Sequence, residues 1–337
     1  MKKLIIIAIT AFLGINPLNA QRVSPYQSGS YYPGLINLRD VAAPPAGILI
    51  VDYNYWMKSH GYYDKNGEKF TGGTIELPSS GESVDVTIDP SMTSYINAPV
   101  LFYASKFRIL KGARYLASVI PVYLGLDYDV FLAVGDTSGS ISGKISGFGD
   151  LSFMPLGLSW SLNKKLDVSF LYSIYAPTGR YETGADDNLG QGFWTHQIQI
   201  PTYFYAMEQA TALAIIPTLE LNGKVKDADA KMGNRFSLEY GISQYFNSWL
   251  EVELMNGHNW QVGADSGDDV WWTATRFDGL DRKNTFSAGI NVWPVEGILH
   301  LRVKYITDYG VKQRFKNQFW SFSFLLIPGI LAEKDTE

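Results

Sequence analysis

The strongest constraint in this sequence is a period of two. Between Arg235 and Phe246, residues Phe236, Leu238, Tyr240, Ile242 and Phe246 fall on one side of an extended chain, with Gln244 the one exception, and Arg235, Ser237, Glu239, Gly241 and Ser243 on the other. A strand sends successive side chains to opposite faces, so such a segment has one apolar face and one polar, charged face. The same alternation recurs. Leu299, Leu301, Val303 and Tyr305 interleave with His300, Arg302 and Lys304; Leu250, Val252 and Leu254 with Glu251 and Glu253; Val168, Phe170, Tyr172 and Ile174 with Asp167, Ser169 and Ser173.

About twelve such segments follow one another, near residues 46–57, 93–107, 114–127, 148–162, 165–177, 193–205, 211–223, 234–246, 249–262, 283–293, 298–309 and 317–328. Each is about as long as the nine to eleven residues a tilted membrane strand needs. The connections alternate in length. Long ones occupy residues 58–92, 128–147, 178–192, 224–233 and 263–282, with a shorter one at 310–316. Short ones centre on Leu110–Gly112, Asn163–Lys164, Met207–Gln209, Asn247–Ser248 and Pro294–Gly297. Short turns on one side and long loops on the other, with an even strand number, are the pattern of an outer-membrane barrel. The expected fold is therefore all-β: a closed antiparallel transmembrane β-barrel of about twelve strands over residues 46–328, in the bacterial outer membrane.

Charge on a lipid-facing wall costs about 2–4 kcal/mol for Arg or Lys at the bilayer midplane, so the charged faces should line the lumen. That makes Asp52, Asp167, Glu220, Arg235, Glu239, Glu251, Glu253, Arg302 and Lys304 candidate lumen residues. Opposite charges on neighbouring strands would pair and stiffen the wall, or set an electrostatic constriction. Tyr55, Trp56, Trp160, Trp194, Trp249 and Trp293, near strand ends, suit the interfacial aromatic belts.

Composition narrows the class. The 337 residues are 46% hydrophobic and 14% aromatic but only 18% charged, as expected where apolar and polar positions alternate. Lys2 and Lys3, the apolar run Leu4–Gly14, and Leu18 and Ala20 before Gln21 read as an export signal over residues 1–20, too short for a membrane helix. Removing Lys2 and Lys3 takes the formal charge from −5 to −7; with no basic patch, nucleic acid is not an expected partner. With no cysteine, disulfides and thiolate metal sites are excluded. No later run of about eighteen apolar residues exists, which excludes a helical membrane protein.

Residues 21–45 do not alternate and carry Pro25, Pro33, Pro44, Pro45, Gly29 and Gly34. They form either a periplasmic leader or a segment folded into the barrel mouth; in the second case Tyr32, Pro33, Arg39 and Asp40 are candidate plug residues. Twelve strands make a barrel between those filled by side chains and those with open channels, so a plug is physically reasonable.

Other chemistry is weakly signalled. A barrel-wall hydrolase would need one of His60, His196, His258 or His300, and His196 beside Trp194 and Thr195 is the one to weigh. No G-x-S-x-G elbow accompanies it, and a structural hydrogen bond is the simpler role. The clusters Asp186-Asp187-Asn188 and Asp265-Ser266-Gly267-Asp268-Asp269 lack ordered calcium-loop spacing and read as solvated loops. The glycine-rich run Gly135–Gly149 reads as a flexible outer loop. No cofactor or metal site is expected.

Several stretches resemble a known family. Gly149-Asp150 with Pro155 and Trp160, then Tyr175-Ala176-Pro177-Thr178-Gly179-Arg180-Tyr181, Asn188-Leu189-Gly190 and Trp194-Thr195-His196-Gln197 look like the meta-pathway phenol-degradation family of outer-membrane proteins. Tyr31-Tyr32-Pro33-Gly34-Leu35, Leu38-Arg39-Asp40, Pro44-Pro45-Ala46-Gly47, Glu220-Leu221-Asn222-Gly223-Lys224 and Leu238-Glu239-Tyr240-Gly241 fit it too. The resemblance implies a single-chain outer-membrane barrel that passively takes up small hydrophobic or aromatic molecules, with outer-membrane lipid and the barrel-assembly machinery as partners. It brings no catalytic residues. The alternative is a structural or surface-binding barrel with a plugged lumen. One departure is the C-terminus: outer-membrane strands commonly end a chain on an aromatic, whereas Phe324 is followed by Leu325 to Glu337, including a tail over residues 329–337.

Overall fold

The computed structural model describes residues 29–76, 83–135, 137–183, 185, 187–269, 272–273 and 280–328. The export signal, the first part of the leader and the C-terminal tail lie outside these residues.

One 16-stranded antiparallel sheet organises the chain. Its strands are β1 (Gly47–Tyr63), β2 (Gly72–Glu76), β3 (Ser83–Ile109), β4 (Ala113–Ile120), β5 (Tyr123–Val134), β6 (Thr137–Phe148), β7 (Leu151–Asn163), β8 (Leu166–Ala176), β9 (Thr195–Gln199), β10 (Thr202–Ala206), β11 (Thr211–Asn222), β12 (Arg235–Tyr245), β13 (Leu250–Gln261), β14 (Arg282–Val295), β15 (Leu299–Lys312) and β16 (Arg314–Leu326). The sheet closes because β1 pairs on one side with β16, Trp56 opposite Trp320, and on the other with β3, Trp56 opposite Tyr95. Around the ring run β1, β3, β4, β7, β8, then β9 and β10 sharing one position across Ile200-Pro201, then β11 to β16. That is a closed 12-strand barrel, as the alternation predicts. Proline lacks the ladder N–H, which accounts for the break at Pro201.

The turns between β3 and β4, β7 and β8, β10 and β11, β12 and β13, and β14 and β15 are all short and share one end. In the β3–β4 turn, Leu110, Lys111 and Gly112 all adopt positive φ. At the opposite end the loop boundaries differ from expectation. Much of residues 128–147 is not a flexible loop but the β5–β6 hairpin, in full register from Tyr123↔Phe148 to Val134↔Thr137. With β2 and the first part of β3 it extends the sheet beyond the ring. Serine and glycine carry little hydrophobic signal, so they hide the period, yet backbone pairing does not need that signal. Likewise residues 310–316 shrink to Gln313 between β15 and β16.

Outward faces carry Leu213, Ile215, Ile242, Leu254, Ile290, Val303 and Phe322, all exposed, while the buried positions on the other face are largely polar. This inversion relative to a water-soluble core is what a lipid-immersed wall requires. Trp56, Trp194 and Trp249 are exposed, as an aromatic belt would be. Tyr55 and Trp293 are not part of it: the Tyr55 hydroxyl donates inward to the Leu35 carbonyl, and Trp293 stacks on His300 at 4.1 Å. Trp160 donates to the Leu110 carbonyl.

Candidate functional site: the occupied bore

Residues 29–45 run through the barrel interior in irregular conformation. A segment without a ladder partner must find acceptors for its N–H groups and donors for its carbonyls. Here the wall supplies them. The Glu220 carboxylate accepts the N–H of Ser30 at 2.7 Å and of Tyr31 at 2.9 Å. Glu239 accepts the Gly34 N–H at 2.6 Å and the Tyr31 hydroxyl, and Glu253 the Leu38 N–H at 2.8 Å. In return, Lys304 Nζ donates to the Ile36 carbonyl at 2.6 Å and the Tyr203 hydroxyl to the Leu38 carbonyl at 2.6 Å. Hydrogen bonds to charged groups contribute about 1.5–3 kcal/mol each when no water replaces them, so the strap is anchored along its length.

Its own charges complete the arrangement. Arg39 Nε lies 2.8 Å from Glu251, its guanidinium also reaches the Ala210 carbonyl at 2.9 Å, and it sits 4.7 Å over the Tyr245 ring. Asp40 meets Arg302 at 2.5 Å and accepts from the Tyr53 hydroxyl. The Tyr32 hydroxyl donates to Asp308 at 2.5 Å, with Lys283 over its ring. Pro33 faces Gly257, where an added Cβ would lie 2.6 Å from the proline Cβ. Apolar residues of the strap fill the remaining space. Leu38, with Ile36 and Val41, packs on Ala212, Ala214 and Ile216; Tyr32 and Leu35 pack on Val51, Ile306 and Phe319. Val41 reaches Ala104, Leu116, Met154 and Leu171 on the remaining wall.

Of the wall residues singled out from the sequence, Asp167, Glu220, Arg235, Glu239, Glu251, Glu253, Arg302 and Lys304 all point inward and are at most 8% exposed. Six of these eight bond the strap directly. Asp167 instead accepts from Tyr205 at 2.9 Å, and Arg235 belongs to a cluster at the long-loop end. Asp52 is corrected. It shares the outward face of β1 with Trp56 and is held by Asn54 at 2.8 Å and Asn97 at 2.9 Å. On β1 the polarity pattern is reversed, because the inward face packs Val51, Tyr53 and Tyr55 against the strap's apolar residues.

Four further inward charges escaped sequence reading: Asp281, Lys283, Asp308 and Arg314. Asp281 takes both guanidinium nitrogens of Arg235, at 2.7 and 2.5 Å, and one of Arg314 at 3.3 Å; Lys283 lies 3.5 Å from Asp308. Lys283 and Asp308 lie within the expected segments 283–293 and 298–309 on their inward phase, and Asp281 two residues before the first of these; Arg314 falls in the stretch 310–316, expected as a connection. Above this cluster, in the loop after β13, Asp265 accepts from the Gly233 N–H and the Gln261 amide, each at 2.8 Å. Burial pushes its carboxyl above the ordinary carboxylate range, opposed by those bonds and by Arg235. Asp150, in the connection between β6 and β7, is raised by burial in the same way while accepting the N–H of Gly179 and Gln191.

His196 turns outward to Tyr172, 2.7 Å from its hydroxyl, and His300 stands between Trp293, Arg302 and Glu251.

If the strap holds the bore closed, filling the notch at Gly257 should open it. Gly257→Leu forces about four extra heavy atoms into the space of Pro33, a degree of overpacking that costs roughly 1–3 kcal/mol or displaces the weaker element. The expected result is a variant that still migrates as a folded barrel but conducts more and exposes residues 29–45 to protease. Wild-type conductance and cleavage would show that the strap does not rest there.

A closed sheet with an apolar outer belt, polar interior and sorted turns defines an outer-membrane β-barrel. Residues 76–324, well over half of the chain, match the family described by the MetA-pathway of phenol degradation. The chain belongs to that family. Among solved structures, the COG4313 outer membrane channel from Pseudomonas putida F1 is similar at 17% identity and a TM-score of 0.62, covering 86% of this chain and 99% of that one. A FadL homologue from Pseudomonas aeruginosa aligns at 12% identity and a TM-score of 0.42, over 83% of this chain and 90% of its own. No curated protein matches.

Proposed function

We propose that this barrel carries small hydrophobic or aromatic molecules passively across the outer membrane, and that residues 29–45 form a plug which must shift or be bypassed for passage. The observation carrying this reading is the strap itself, a segment held by polar side chains inside a closed 12-strand ring. A purely structural barrel could fill its interior with wall side chains; a separate, removable segment is suited to gating. The family membership and the likeness to a channel support the same reading, and aromatic cargo rests on the family's link to phenol degradation. Nothing in the reading calls for catalysis, since the work is done by binding and exclusion.

The second reading, a plugged barrel acting through its surface, is favoured by the buried wall carboxylates of Glu220, Glu239 and Glu253, which hold the strap at the N–H groups of Ser30, Tyr31, Gly34 and Leu38. Uptake separates the two. Proteoliposomes carrying the wild-type barrel should take up phenolic or other small aromatic probes faster than protein-free vesicles, and should do so more than they take up sugars of equal mass. Equal rates for all probes, with or without protein, would remove the transport reading.

A further inference from the structure

The outer wall is not uniformly apolar. Where β12 to β15 approach the long-loop end, five outward side chains form a polar network on the lipid-facing surface. His258 Nδ1 lies 2.6 Å from Asn284 Oδ1, and its Nε2 lies 3.0 Å from the Asn256 amide and 3.3 Å from the Tyr240 hydroxyl. Tyr309 donates to Asn256 at 2.7 Å. One step nearer the loops, Trp260 stacks on both His258 and Phe236. Immediately beyond, Arg282 and Lys312 face each other as register partners on β14 and β15. They line a concave pocket of about 350 Å³ together with Asn66, Trp260 and Asn284. Among the described residues neither cation has an ion-pair partner. The outward faces of β13 to β16 carry no carboxylate, and nearby Asp64 is turned to the N–H groups of its own loop.

Toward the middle of the wall the same strands present Leu254, Phe286, Ile290 and Val303, all exposed. The surface thus changes along the membrane normal from cations to amide, imidazole and phenol groups on an aromatic shelf, then to bare aliphatic side chains. An aromatic belt alone explains Trp260 and Tyr309, but not a pocket with two unpaired cations above a hydrogen-bonding network.

We infer that this face is a binding site for a phosphorylated outer-leaflet glycolipid of the lipid A type, with its phosphate between Arg282 and Lys312, its sugar over the Trp260–His258–Asn284 shelf and its acyl chains on the aliphatic strip. Guanidinium and ammonium groups are the natural partners of phosphate, and the amides and ring faces suit a hydroxylated saccharide. The order of the three zones matches the order of the three parts of such a lipid. Long loops face outward in barrels of this class, which puts the pocket at the leaflet where that lipid resides.

The test is native mass spectrometry of the delipidated barrel in detergent, titrated with diphosphoryl lipid A. Wild type should retain one lipid with an affinity that falls at high ionic strength, while Arg282→Gln/Lys312→Gln should bind about tenfold more weakly or worse. Lys144→Gln, an exposed cation on the β6 hairpin, should bind like wild type. Heat-dependent gel mobility reports folding; if the double variant does not fold, each single glutamine variant should lose roughly threefold. Inorganic phosphate should not displace the lipid, because the shelf and strip hold the rest of it. Equal binding by wild type and variants, equal retention of phosphatidylethanolamine, or a protein dimer in place of the lipid adduct would overturn the assignment.

Discussion

Removing residues 22–45 should raise the single-channel conductance of the barrel by roughly tenfold or more, since rings larger than about eight strands leave interior space that something must fill. The strap occupies that space. It passes from Gly29, whose carbonyl accepts from Gln191, to the apolar contacts of Val41, bonding Glu220, Glu239, Glu253, Lys304 and Arg302 on the way. Without it these buried charges would face water and lose nothing in solvation, so the ring should survive the loss. The barrel wall does not depend on the strap for closure, because β1 pairs with β16 from Ile50 to Ser59 and with β3 from Gly47 to Ser59. The expected record is a folded, heat-modifiable barrel with larger and less interrupted current steps. A truncated barrel that conducts no better than wild type would show that the constriction lies elsewhere, and the plug reading would fall.

The second large effect concerns stability. Asp281→Ala should destabilise the barrel by about 3–5 kcal/mol, the cost of stripping one partner from a buried ion pair. Asp281 is fully buried and receives a two-pronged contact from Arg235 plus a contact from Arg314, with Asn259 accepting from both arginines. Deleting the carboxylate leaves two guanidinium groups, each at most 2% exposed, without their shared counter-charge. Glu220 is close enough to offset part of this. Asp281→Asn should cost less, because the amide oxygen still accepts while the charge is lost. Thermal unfolding followed by gel mobility reads the difference; a shift no larger than that of an exposed control such as Lys224→Ala would mean that the cluster is open to water.

How much of this was legible in advance follows from what alternation reports. On β12 and β13, Arg235, Glu239, Glu251 and Glu253 stand against unbroken apolar partners, so their inward direction could be read directly. Asp52 could not, because the face of β1 that looks inward is itself apolar: it meets the strap, not water. The β5–β6 hairpin was hidden by residues such as Ser138, Gly139, Ser140 and Gly143, which fit a strand without announcing one. The strap's prolines and glycines excluded regular structure, but leaders outside and plugs inside share that composition.

The chain's own order of residues therefore determined the class of fold, the strand number, the sorting of turns and the charge of most of the inner wall. These depend on each strand meeting lipid on one side, a demand felt locally at every second residue. Only the tertiary structure decided that the irregular segment lies in the bore, that Glu220, Glu239 and Glu253 cap its N–H groups, and that Asp281 joins Arg235 to Arg314. Those contacts link residues from 33 to 215 positions apart, and no local period carries information about which distant backbone group a buried carboxylate will satisfy.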